Sequence, residues 1–201
     1  MSEQTVKRAG RPRGFDEEQV LDAALDVFWT KGFEATSLVD LMKATGLHKA
    51  SLYGAFGTKR GLYVRVLDRY LTNAAEMFAD RVAAAPDAVS AVGAYFDHAL
   101  GLCAEPEFRG CFKVNAQVEF ACNDDELAAR FAEHDVTMRA TLAGAIERGR
   151  QSGVFRSDRT TQELAQYLLT FATGVFARAR GGLPARDARA LADTAIDALR
   201  A

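Results

Sequence analysis

The sequence predicts an all-α protein of about nine helices. Three observations carry this reading. Apolar residues recur at helical spacing along almost the whole chain, and β-branched runs are too few to read as strands. The punctuation also falls between the periodic segments: Pro86, Pro106, Asn123-Asp124, Gly153 and Gly181-Gly182 with Pro184. The 201 residues allow one large domain or two small ones, and 49% hydrophobic with 26% charged residues suits a globular chain that buries a core.

The elements follow in order. Asp16, three residues ahead of Gln19, has the form of an N-terminal cap. Leu21, Ala24, Leu25 and Phe28 then share a face, and Gly32 closes the helix. Thr36 or Ser37 caps a short second helix with Leu38, Leu41 and Met42 inward, and Gly46 stops it. A third helix puts Leu52, Ala55 and Phe56 on one face. A long fourth runs from Thr58 to about Ala84, with Leu62, Val66 and Tyr70 inward. Five more are expected at about 87–103, 107–122, 125–151, 160–180 and 186–200. The expected organisation is a basic arm (1–14), an N-terminal three-helix domain (15–70, helix-turn-helix about 37–56) and a helical ligand-binding and dimerisation domain (71–201), the two domains joined by the long helix.

The net charge of −2 conceals an asymmetry. Residues 1–13 carry Lys7, Arg8, Arg11 and Arg13 against Glu3, and residues 41–67 carry Lys43, Lys49, Lys59, Arg60 and Arg65 with no acid. A polyanion partner accounts for such a run, as does a solvated basic face. Helix, glycine turn and basic second helix form the helix-turn-helix pattern, whose second helix enters the DNA major groove. On that helix Ala50 and Gly54 point outward, Tyr53 and Ser51 flank them, and His48 and Lys49 lie at the exposed start. Small outward residues let a backbone approach a groove wall. Ala50 suits a thymine methyl, Lys49 a guanine or phosphate, and Tyr53 a phosphate. Thr58-Lys59 opens the next helix, where backbone N–H groups and the ammonium together suit a phosphate.

Residues 15–70 resemble the N-terminal domain of the TetR family of transcriptional repressors. The resemblance lies in Phe28 and Gly32-Phe33 before Thr36-Ser37, then Gly46-Leu47, Ser51-Leu52-Tyr53, Phe56 and Lys59. Gly54-Ala55 departs from it, being smaller than the bulky pair often found before that phenylalanine. The resemblance implies a homodimer on a palindromic double-stranded operator, released by a small-molecule inducer held in the C-terminal domain. Gly-Arg-Pro-Arg-Gly in the arm resembles an AT-hook core, which suits a narrow minor groove. The expected DNA-facing set is Arg11, Arg13, Thr36, Ser37, His48, Lys49, Ala50, Ser51, Tyr53, Gly54 and Lys59.

In helix 160–180, Leu164, Leu168, Phe171 and Val175 form one apolar stripe, and Ala165, Leu169, Ala172 and Phe176 form another. Two such faces are one too many for a two-layer protomer. Leu169, Ala172 and Phe176, with Leu191 and Ile196 of the last helix, are therefore expected at a twofold interface, the alternative being a helix buried inside a single core. Polar residues on apolar stripes suggest a ligand pocket: Tyr95 and His98 on one helix, and His134 between Phe131 and Met138 on another, with Phe171. On helix 107–122, Cys111 and Asn115 share a face with Val114. Cys111 near a helix start, beside Arg109 and Lys113, is either a packed thiol or an electrophile or redox sensor, a mode used by some members of the resembled family.

Other functions find little support. There is no glycine-rich phosphate loop, GxSxG or HExxH, so no enzyme is expected, although a thiol-dependent one is the competing class. Three cysteines without a CxxC pair and three scattered histidines argue against a disulfide framework, a metal site or a cofactor. No apolar run is long enough for a membrane span and no secretory signal precedes the arm, so the expected location is cytoplasmic.

Overall fold

The computed structural model describes residues 14–102, 108–120 and 123–201, with the side chains of all but 98, 99 and 102. The arm residues Arg11 and Arg13, the side chain of His98, and Cys103 and Cys122 lie outside the described residues. Among those described, nine helices form: α1 (Glu17–Lys31), α2 (Leu38–Thr45), α3 (Lys49–Phe56), α4 (Lys59–Ala84), α5 (Ala88–Leu102), α6 (Phe112–Phe120), α7 (Asp125–Gln151), α8 (Thr161–Arg180) and α9 (Ala185–Asp197).

Local chemistry sets the helix ends. Asp16 accepts from the Glu18 and Gln19 amides, Thr58 from Gly61 and Asp124 from Leu127. Ser37 rather than Thr36 caps α2, in a reciprocal capping box with Asp40. Thr160 and Glu163 repeat the box at α8. Gly46 turns the chain out of α2 at φ 70°, a left-handed conformation glycine adopts without penalty.

Two helix borders differ from expectation. α6 starts at Phe112 rather than 107, because Gly110 takes φ 79° and its carbonyl accepts from Trp29 Nε1 at 3.0 Å. α9 stops at Asp197 because the chain end pairs instead with the segment after α7: the Arg156 amide donates to Leu199, and the Ala201 amide to Val154.

Two apolar cores result. One joins α4 and α5 to α7, α8 and α9 around Phe96, Leu142, Ile146 and Leu168. The other packs α1 to α4 around Phe28, Leu52 and Tyr63, and it includes Phe112 and Ala116 of α6 with Leu127 and Phe131 of α7.

The interface expectation for α8 needs correction. Leu169, Ala172 and Phe176 are buried within the protomer, as is Ile196 of α9, and Leu191 is half-buried against the same core. α8 lies between α7 and α9, so both apolar stripes find partners inside one chain. The free face of α8 is a third one: Tyr167 at 41% exposure, half-buried Phe171 tilted against it, and exposed Gly174, Ala177 and Arg178. Phe171 belongs to this outer face and not to any pocket with Tyr95.

Candidate nucleic-acid interface and ligand cavity

Leu52 and Phe56 anchor α3 in the N-terminal core, which turns the opposite face outward. His48, Lys49, Ala50, Ser51, Tyr53 and Gly54 are all exposed. Lys49 Nζ lies 5.6 Å from the Tyr53 ring centre, so cation and phenol form one patch. No side chain or backbone lies within 4 Å of where a Gly54 Cβ would be, and that open surface lets the helix approach a groove closely.

Much of the basic run turns out to be structural. Arg60 makes a two-bond fork with Asp124 (2.8 and 2.7 Å) and reaches Glu126 at 2.7 Å. Arg65 pairs with Glu17, and Arg69 with Glu18 and Asp22. Lys59, expected at a phosphate, donates to the Phe33 and Thr36 carbonyls at 2.9 and 3.0 Å and covers the Phe33 ring. Its half-buried ammonium ties the α1–α2 turn to α4, and two of its three N–H donors are used there. Thr36 is likewise withdrawn: it is 2% exposed, and its hydroxyl donates to the Gly32 carbonyl at 2.6 Å. Ser37 stays exposed, with its hydroxyl held by Asp40. Among the described residues of the run, Lys43, Lys49 and Lys59 are the cations without an ion pair, and of these Lys59 is held by backbone carbonyls.

α6 and the residues before it clasp α1. Arg109 donates to the Asp26 carbonyl and carboxylate and to Thr30, and lies 5.0 Å from the Trp29 ring centre. At the far end of α6 the Glu119 carboxylate accepts from the Phe33 and Glu34 amides at 3.0 and 2.9 Å.

Behind α6 lies a cavity of about 100 Å³, walled mainly by α4, α5, α6, α7 and α8. Four of the expected pocket residues meet there: Tyr95, Cys111, His134 and Met138. Phe131 does not, being buried in the N-terminal core. Asn115 faces away and donates to the Arg109 carbonyl at 2.8 Å, which satisfies it without a ligand. Cys111 lies 3.6 Å from Tyr70 Oη, and its expected cationic neighbours are occupied elsewhere, Arg109 by Asp26 and Lys113 by Asp135. The cavity also takes Tyr70, Phe78, Arg81, Lys113, Asp135 and Phe176, which sequence reasoning did not assign to it. Lys113 between Phe112 and Val114 was the available signal, a charge on an otherwise buried turn.

Burial pushes the His134 imidazole below its usual range, and the Lys113 ammonium adds to this, against the opposing pull of Asp135 and the Leu71 backbone. The unfolded chain therefore binds that proton more readily than the folded one. Stability from this group is present above about pH 6.5 and is lost as pH falls below it. Urea midpoints should drop further between about pH 7.5 and pH 5.5 in the wild type than in His134→Gln. Equal drops would show that His134 does not contribute.

The family described as bacterial regulatory proteins of the tetR type matches residues 20–66, and the tetracyclin repressor-like C-terminal domain matches residues 88–196, more than half of the chain. The chain belongs to the TetR family. Over 199 residues it is 31% identical to the HTH-type transcriptional repressor ComR of Escherichia coli K12, covering 97% of this chain and 94% of that one. BdcR, another such repressor of the same organism, is 45% identical over 71 residues, 35% of this chain and 36% of its own. Among solved structures, a cysteine-substituted variant of the TetR-family regulator CifR in complex with 26-bp double-strand operator DNA superposes with TM-score 0.81 at 29% identity, covering 94% of this chain and all of that one. This TetR-family chain is thus a DNA-binding transcriptional regulator, and among its described residues no helix is long and apolar enough to cross a membrane.

Proposed function

We propose that the protein is a cytoplasmic homodimeric repressor that holds a palindromic operator through α3 and releases it when a small molecule fills the cavity behind α6. The observation that carries this reading is the face of α3: an exposed, acid-free row from His48 to Gly54, on a scaffold whose other cations are mostly paired. Ser37 at the start of α2 and the arm residues Arg11 and Arg13 extend the proposed contact. Two copies of α3 reach successive major grooves if the dimer spaces them about 34–36 Å apart. The cavity touches α6, and α6 with the residue Arg109 before it holds α1 and the turn after α1 through Arg109 and Glu119, so a ligand that shifts α6 shifts the α3 spacing. A reversible ligand is favoured over a thiol switch because the cations beside Cys111 already have partners.

The test is a mobility shift on the duplex upstream of the protein's own gene, repeated across salt concentrations. Binding should weaken steeply with salt. Lys49→Ala and Tyr53→Phe should each weaken operator binding by ~1–3 kcal/mol where a direct contact is lost, with the fold intact. Unchanged affinity in both variants would overturn the placement of α3.

A further inference from the structure

We infer that the cavity behind α6 is built for a compact organic acid, an anionic carboxylate on a ring-sized or branched aliphatic body; this rests on the reading of that cavity as the inducer site. Three of the polar groups on its wall, Tyr95, Arg81 and Lys113, keep N–H or O–H donors without an acceptor among the described residues. Lys113 is 8% exposed, and its ammonium meets one described partner, Asp135 at 2.8 Å. An ammonium has three N–H donors, so two remain. The Tyr95 hydroxyl has no hydrogen-bond partner among the described residues, although the side chain lines the cavity. Tyr70 is already engaged with Cys111. Arg81, on the same lining, is exposed and has no ion pair among the described residues.

Charge points the same way. The lining holds two cations, Arg81 and Lys113, and the single carboxylate of Asp135, so with His134 neutral the wall carries one excess positive charge. Burial pushes the Tyr95 phenol far up, which keeps it protonated and a donor. A carboxylate entering between Lys113 and Tyr95 completes both, whereas an amine adds to the excess positive charge and finds Asp135 already held by Lys113. The remaining wall is apolar, with Met77, Phe78, Met138 and Phe176. An apolar cavity of ~150 Å³ holds benzene, so about 100 Å³ favours the smaller, branched aliphatic body and makes a ring the upper limit.

The full-length protein should be titrated with benzoate and isovalerate, and with the neutral amides benzamide and isovaleramide, by calorimetry and thermal shift. At least one acid should bind and raise the melting temperature, with its amide at least tenfold weaker. Lys113→Met and Tyr95→Phe should each weaken the acid on the order of tenfold or more, as expected for a bond to a charged group. Tyr95→Phe removes one exocyclic oxygen and carries the test alone if Lys113→Met does not fold. Amides binding as well as acids, no acid binding at millimolar concentration, or acid affinity unchanged in the folded variants would overturn the inference. The same acids are then added to the protein–DNA complex. An acid that binds the cavity yet leaves the DNA bound supports the ligand class and removes the induction reading instead.

Discussion

Gly174→Glu is expected to leave each protomer folded and to abolish the dimer. Gly174 lies inside the 20-residue helix α8, where glycine costs about 1 kcal/mol relative to alanine. Nothing in the protomer requires it: its φ is not positive, and a Cβ there would meet no atom within 4 Å. Its neighbours on the free face are Tyr167, Phe171 and Ala177, two aromatic rings on the N-terminal side of a small-residue gap. A gap of this kind lets a second helix come close, which is how two copies of α8 would meet. A carboxylate placed there would be buried without a partner on association, a penalty large enough to prevent it. Light scattering should report a folded monomer. Operator affinity should fall by ~100-fold or more, because two half-sites are no longer held by one linked molecule. A native dimer of Gly174→Glu would place the interface on another face.

Gly61→Ala should damage the other end of the molecule. Gly61 lies in the first turn of α4, where its Cβ would come 2.1 Å from the Phe56 carbonyl oxygen at the end of α3. The obstacle is backbone, so no side chain can rotate aside. The turn between recognition helix and linker must open, which withdraws Leu52 and Phe56 from the core they anchor. A loss of about 3 kcal/mol in stability is expected, the upper range for an overpacked site, together with loss of operator binding. Gly54→Ala is the control: the space there is open, so the fold should hold and α3 should gain helix propensity. Wild-type stability in Gly61→Ala would show that α3 and α4 do not meet at this angle.

The N-terminal elements were legible because their signals are local. Asp16, Gly32, Gly46 and Thr58 act on the residues beside them, and the outward face of α3 follows from helical spacing alone. What was not legible is pairing at a distance. Nothing near Lys59 in sequence says that its ammonium ends on Phe33 and Thr36, or near Arg60 that it meets Asp124. The two stripes of α8 were visible, but which neighbour covers each depends on α7 and α9 arriving from either side. The cavity was half visible for the same reason. Tyr95, His134 and Met138 stood out as residues on stripes, while Lys113 and Asp135 form a pair only when α6 and α7 pack.

The second apolar core draws Phe112 and Ala116 from α6, and Leu127 and Phe131 from α7, into contact with the helices that carry the DNA-facing surface. The DNA-facing helices and the helices around the proposed ligand cavity therefore meet across a shared interior rather than at a hinge with a wall on each side. A cut near residue 70 would leave the N-terminal piece with Trp29 and Tyr63 facing water where Phe112 had been. The unit of folding is larger than the unit of DNA recognition. Exchanging recognition modules between relatives therefore requires carrying α6 and the start of α7 along, or matching their side chains. Thermal melting should likewise be a single cooperative event, because neither half keeps a complete interior without the other.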